Sequence, residues 1–147
     1  MSSESQSRAQ LCNCLALRQA ARQVTQLYDR HLASAGLRTT QFSILARLKR
    51  LGPMTINRLA LDMVMDRTTL GRNILPLERD GLIAIRQGTA DKRSKELELT
   101  PAGTERLRQA AKSWAKAQQQ FEAQFGAERA ATLRAELRDV ASIGSRQ

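Results

Sequence analysis

Between Met54 and Thr104 the chain changes its hydrophobic period twice within one short stretch. Ile56, Leu59, Ala60 and Met63 recur at the spacing of one helix face, which predicts a helix over Ile56–Met63. Asp66 is placed to cap a second helix, its carboxylate accepting from the backbone N–H of Thr68 or Thr69. That helix carries Leu70, Ile74 and Leu77 on one side and stops at Gly81. Leu82–Arg86 and Lys95–Leu99 then alternate as two strands around the loop GTADKR. Thr100-Pro101 restarts a helix, since threonine caps well and proline suits the first helical position. Met54-Thr55 can add a very short third strand.

Two short helices, a hairpin with a basic tip and a fresh helix start follow one another in the order of a winged helix-turn-helix. The second helix of such a unit is the right size for the major groove of DNA. With Leu70, Ile74 and Leu77 turned inward, Thr68, Thr69, Arg72 and Asn73 point away from the core, and Arg67 stands at the N-terminal end. No acid lies between Asp66 and Glu78. Arginine to guanine and asparagine to adenine are the pairings this donor set favours; the plain alternative is a solvated polar face. Pro76 breaks the pattern, because a proline inside a helix costs about 3 kcal/mol. A kink near Arg72–Pro76, with the helix continuing to Asp80, is the expected accommodation. At the hairpin tip, Asp91, Lys92 and Arg93 follow a glycine-led turn, and the carboxylate can orient the Arg93 guanidinium for a narrow minor groove. Arg86, Lys92 and Lys95 are placed for phosphate contacts, which add affinity without sequence information.

Outside this region the pattern is helical. Leu11, Leu15, Val24, Leu27 and Leu32 predict a helix from about Arg8 to Ala35, closed by Gly36. Thr39 or Thr40 can cap the next, which holds Phe42, Ile44, Leu45, Leu48 and Leu51 and ends at Gly52-Pro53. Leu107, Ala110, Trp114, Ala117, Phe121 and Phe125 form a long stripe broken at Gly126. Leu133, Leu137 and Val140 form another. A helix over 101–125 spans roughly 37 Å. The first and last helices present more apolar face than one small head can cover, so a second copy in a twofold dimer is the expected cover. The chain divides into a disordered tail over 1–7, a dimerisation helix over 8–38, a DNA-binding region over 39–100 and C-terminal dimerisation helices over 101–147. The expected fold class is mainly α with a small β-wing.

Composition narrows the function. The formal charge is +10 over 147 residues, but residues 1–52, 53–103 and 104–147 carry +6, +1 and +3. The head is nearly neutral in total, so local placement of charge must carry the nucleic-acid argument. One histidine and two cysteines cannot complete a four-ligand zinc site. No nucleophile–base pair or glycine-rich phosphate loop suggests an enzyme, and no cofactor is expected. No apolar run approaches a membrane span and the N-terminus MSSESQSRAQ is polar, so no membrane partner and a cytoplasmic location are expected.

The run DRTTLGRNILPLERDGLI, followed by GTADKR and LELTPAG, resembles the MarR (multiple antibiotic resistance regulator) family of bacterial transcription factors. The resemblance covers nearly the whole chain. It implies a homodimer with entwined terminal helices that binds a palindromic double-stranded operator, usually as a repressor. It also implies release by a small, often phenolic, ligand or by oxidation of a cysteine. Carried over, Arg67–Asn73 would lie in the major groove and Arg93 in the minor groove. In the organic-hydroperoxide-sensing branch a reactive cysteine precedes a tyrosine by fourteen residues, the separation of Cys14 and Tyr28 here. That branch has further tyrosines where this chain has Arg18 and Thr39, and the bland alternative is a packed, inert Cys14. The other sensor candidate is an aromatic-carboxylate pocket built from Tyr28, His31, Phe42 and Trp114 with Arg18 and Arg22 as cations. An architectural DNA binder with no ligand response, and a protein-binding module on the same fold, are the rival functions.

Overall fold

The computed structural model describes residues 8–144; the tail expected over 1–7 lies outside the described residues. The elements in order are α1 (Asn13–Leu32), a 3-10 turn (Ala33–Ala35), α2 (Thr39–Leu51), β1 (Met54–Thr55), α3 (Ile56–Met63) and α4 (Arg67–Arg79). β2 (Ile83–Gln87), β3 (Lys95–Leu99), α5 (Pro101–Phe125) and α6 (Ala127–Ala141) complete the chain. The three strands form an antiparallel sheet in the order β1-β3-β2, with Met54 opposite Leu97 and Ile85 opposite Leu97 on the other side.

This arrangement is mainly helical with a small wing, as the periodicity implies. Leu70, Ile74 and Leu77 of α4 are buried together with Ile44, Leu45, Leu59, Leu97 and their neighbours in one core. Burial of that stripe is what fixes the roll of α4 and therefore which side chains face outward. α5 runs from the wing back along α1, where Leu27, Tyr28 and Ala117 make a second, much smaller cluster.

Three local expectations are corrected. The first helix does not run unbroken from Arg8 to Ala35: residues 8–10 are helical, the chain breaks at Leu11 and Cys12, and a 3-10 turn closes the far end. Cys12 is extended, and its Sγ accepts from Leu15 N–H at 3.4 Å as the cap of α1. Residues 8–21 are all exposed, so no burial holds that end of the helix together. Second, neither Thr39 nor Thr40 caps α2. Arg38 occupies the cap position, Gln41 Oε1 accepts from its N–H, and Asp29 of α1 accepts from both the N–H (2.7 Å) and the hydroxyl (2.6 Å) of Thr39. An ionised carboxylate is a stronger acceptor than a hydroxyl, so a residue ten positions upstream takes the role. Third, the first wing strand starts at Ile83 rather than Leu82 and ends at Gln87. α4 does continue through Pro76, to Arg79.

Candidate nucleic-acid interface

The N-terminus of α4 is built by its cap. Asp66 accepts from the Thr69 N–H at 2.7 Å with one carboxylate oxygen and from the Thr69 hydroxyl at 2.8 Å with the other. These hydrogen bonds, the backbone one first, hold the Asp66 carboxyl below its usual range. The turn before it is tight: Val64 sits at φ 53, in the left-handed region a β-branched residue seldom occupies.

On α4 the five expected groove residues are not equivalent. Arg67, Thr68 and Arg72 are exposed and face away from the core. The Thr69 hydroxyl is engaged by Asp66, and the Asn73 amide donates to the Thr69 carbonyl at 2.9 Å. Asn73 must leave that bond to reach a base edge. Leu75, absent from the expected set, is 64% exposed on the outer side of the helix.

The wing tip is ordered by its own hydrogen bonds. Gly88 N–H donates to Ser94 O, Ser94 N–H to Asp91 O, and the Gln87 amide to Lys92 O at 2.7 Å. Gly88 is required here, because a Cβ would collide with the Ser94 hydroxyl and the Asp91 carbonyl oxygen. Asp91 does not hold the Arg93 guanidinium as expected. Its carboxylate instead accepts from the Arg93 backbone N–H at 2.9 Å, an Asx-type turn that leaves the guanidinium to swing. Lys92, Arg93 and Lys95 are exposed and line one shallow basic hollow with Gln87. Arg86 joins that hollow but is paired across the sheet with Glu98 at 2.6 Å. A phosphate would compete with this pair, so Arg86 is a poorer phosphate ligand than the sequence implies.

The expected ligand pocket is half assembled. Tyr28, Phe42 and Trp114 meet at one cleft of about 680 Å³ between α1, α2, α3 and α5, where Phe42 and Trp114 stack at 6.2 Å. Arg18, Arg22 and His31 do not line it. Arg18 and Arg22 are ten and six residues before Tyr28, roughly 15 and 9 Å up the helix, and His31 pairs with Gln120 at 2.8 Å. The cations in the cleft are Arg47 and Arg50, which the sequence reading missed. Arg47 bridges to Asp62 at 3.2 Å and so ties α2 to α3. The spacing of α2 supplied a usable signal: Phe42, Ala46 and Arg50 lie at i, i+4, i+8. The Tyr28 hydroxyl donates to Gln118 Oε1, and burial raises its pKa above the usual value.

Cys14 is exposed on the first turn of α1. Fourteen residues of one helix put it roughly 21 Å from Tyr28, so the two do not meet within one chain.

Comparison with known proteins follows the same outline. The MarR family model matches residues 37–95. A solved structure of the M. tuberculosis transcriptional regulator MosR in complex with DNA is 36% identical with a TM-score of 0.81, over 91% of this chain and 96% of that one. A probable transcriptional regulator from Pseudomonas aeruginosa is 28% identical with a TM-score of 0.76, over 86% of this chain and 94% of its own. The uncharacterized HTH-type transcriptional regulator YwoH of Bacillus subtilis is 34% identical over 84 residues, which are 57% of this chain and 61% of that protein's length.

Proposed function

The chain belongs to the MarR family of transcriptional regulators, and from that premise we propose that it is a homodimeric repressor of a palindromic promoter site, released by an aromatic anion. The observation that carries the DNA part is the outward face of α4, where Arg67, Thr68 and Arg72 stand exposed beside a basic wing. MosR, alike in sequence over nearly its whole length, binds DNA. In this reading α4 enters the major groove, Arg93 follows the minor groove, and Lys92 and Lys95 neutralise phosphates.

The dimer is supported by what the chain ends leave uncovered. Leu11, Leu15, Leu17, Leu137, Val140 and Ile143 are all at least 39% exposed. An apolar groove of about 610 Å³ between α1, α5 and α6 is open beside them. A second copy laid on these helices removes both liabilities and sets two α4 helices about one DNA turn apart, near 34 Å. The ligand part rests on the cleft with Phe42, Trp114, Arg47 and Arg50. Aromatic walls with two guanidiniums and one carboxylate suit a flat monoanion.

One sample tests all three parts. Purified protein should elute at twice its 16.4 kDa chain mass and enrich a palindrome from random duplexes at 150 mM salt. Trp114 is the only tryptophan, so quenching of its fluorescence by salicylate reports occupancy of the cleft directly. A lone subunit at micromolar concentration, equal retention of all duplexes, or unmoved fluorescence would each remove one part.

A further inference from the structure

The outer face of α4 carries one large apolar side chain, Leu75, among its polar ones. At about 100° per residue, Thr68, Arg72, Leu75 and Arg79 fall within about 60° of one another, opposite buried Leu70, Ile74 and Leu77. Leu75 therefore lies within this exposed stripe, with 64% of its surface open. Its neighbours one turn away on that face of α4 are Arg72 and Arg79, so no apolar side chain of the same helix flanks it there. Thr69 and Asn73, meanwhile, are tied to Asp66 and to the helix backbone. That leaves the stripe with a methyl-bearing hydroxyl, a guanidinium, an isobutyl group and a second guanidinium in line.

We propose that Leu75 is a specificity-determining residue that packs on the C5-methyl of a thymine, next to the guanine read by Arg72. The proposal rests on α4 being the major-groove helix. Thymine alone presents a methyl group in that groove, so an aliphatic side chain there selects T over C and over the purines. Arg72 and Leu75 are separated by about 4.5 Å along the helix axis, against 3.4 Å between successive bases of a strand. The thymine is thus one or two base pairs from the guanine in each half-site. Leu75 is a better probe of the groove than the polar residues, since it makes no phosphate contact that could mimic a base contact.

The test uses the duplex that the wild-type protein enriches from a random library. Each thymine within two base pairs of the half-site guanine is replaced in turn by deoxyuridine, which removes only the methyl group. Wild type should lose about fourfold in affinity per half-site at one of these positions, the worth of one buried methyl. Leu75→Ala should bind the unmodified duplex as weakly as wild type binds the deoxyuridine one, and should ignore the replacement. Leu75→Gln should lose the same thymine preference when the selection is repeated. Because Leu75 is exposed, both variants should keep the wild-type melting temperature. Indifference of wild type to every deoxyuridine, or equal sensitivity in Leu75→Ala, overturns the role of Leu75 while leaving α4 in the groove. If wild type enriches no duplex at all, the DNA reading falls and takes this assignment with it.

Discussion

The head and the two chain ends solve the burial problem differently. In the head, the end of α1, α2 to β3 and the start of α5 close around a core of fifteen buried residues, and a side chain accepts from the first turn of each of α2, α3, α4 and α5. At the ends, α1 and the far half of α5 share a cluster of only three buried residues, and Leu11, Leu15, Leu17 and Leu137 stay exposed. The head is a finished fold within one chain. The ends are half of one, which is why they are proposed to complete themselves on a second copy.

The sharpest way to break that contrast is to damage the head alone. A Cβ at Gly103 would meet the Leu82 carbonyl oxygen and the Leu99 side chain, where α5 crosses the sheet. Gly103→Ala should cost about 3 kcal/mol in urea unfolding, with no dependence on protein concentration. A near-neutral result would show that α5 can slide and that the head is not closed. Next in size, Leu137→Asp should spare the head but put a charge on α6 where the partner is proposed to sit. The dimer midpoint by analytical ultracentrifugation should rise on the order of a hundredfold; an unchanged midpoint would place the interface elsewhere.

A smaller change separates reading from folding. Arg72→Ala should lose about tenfold in affinity per half-site, since one bidentate guanine contact is worth about 1–3 kcal/mol, and should keep both dimer mass and melting temperature. Smallest is the cap. Asp66→Ala should lower the melting temperature by about 2–4 °C. The folded-state pKa of Asp66 is depressed, so its contribution is present above the unfolded carboxylate pKa and lost as pH falls through the folded one. Wild type and Asp66→Ala should therefore converge in acid, a trend that thermal melts at stepped pH would read.

Much of the local chemistry of the head was legible. Asp66 capping at Thr69, Gly81 at φ 75 and Thr100 accepting from Gly103 are interactions across three residues or within one, written in adjacent letters. The helix through Pro76 was anticipated for the same reason: Leu70, Ile74 and Leu77 continue their period across it. Half of the cleft was legible because aromatic residues are few. Its cations were not, since Arg47 and Arg50 reach the cleft only through the packing of α2 on α5. Asp29 displacing a threonine cap, and Arg86 turning to Glu98 rather than to solvent, failed in the same way. Each joins residues that the chain separates and the fold unites.

The letters alone thus determined the order of helices and strands and that one helix offers donors on the side opposite Leu70, Ile74 and Leu77, because those are short-range contests among backbone, side chain and water. Tertiary structure alone decided which of those donors remain available, which arginines face the aromatic cleft and how much apolar surface the chain ends leave open. The physical reason is that availability and exposure are differences between neighbours, and the neighbours are chosen only when the core closes.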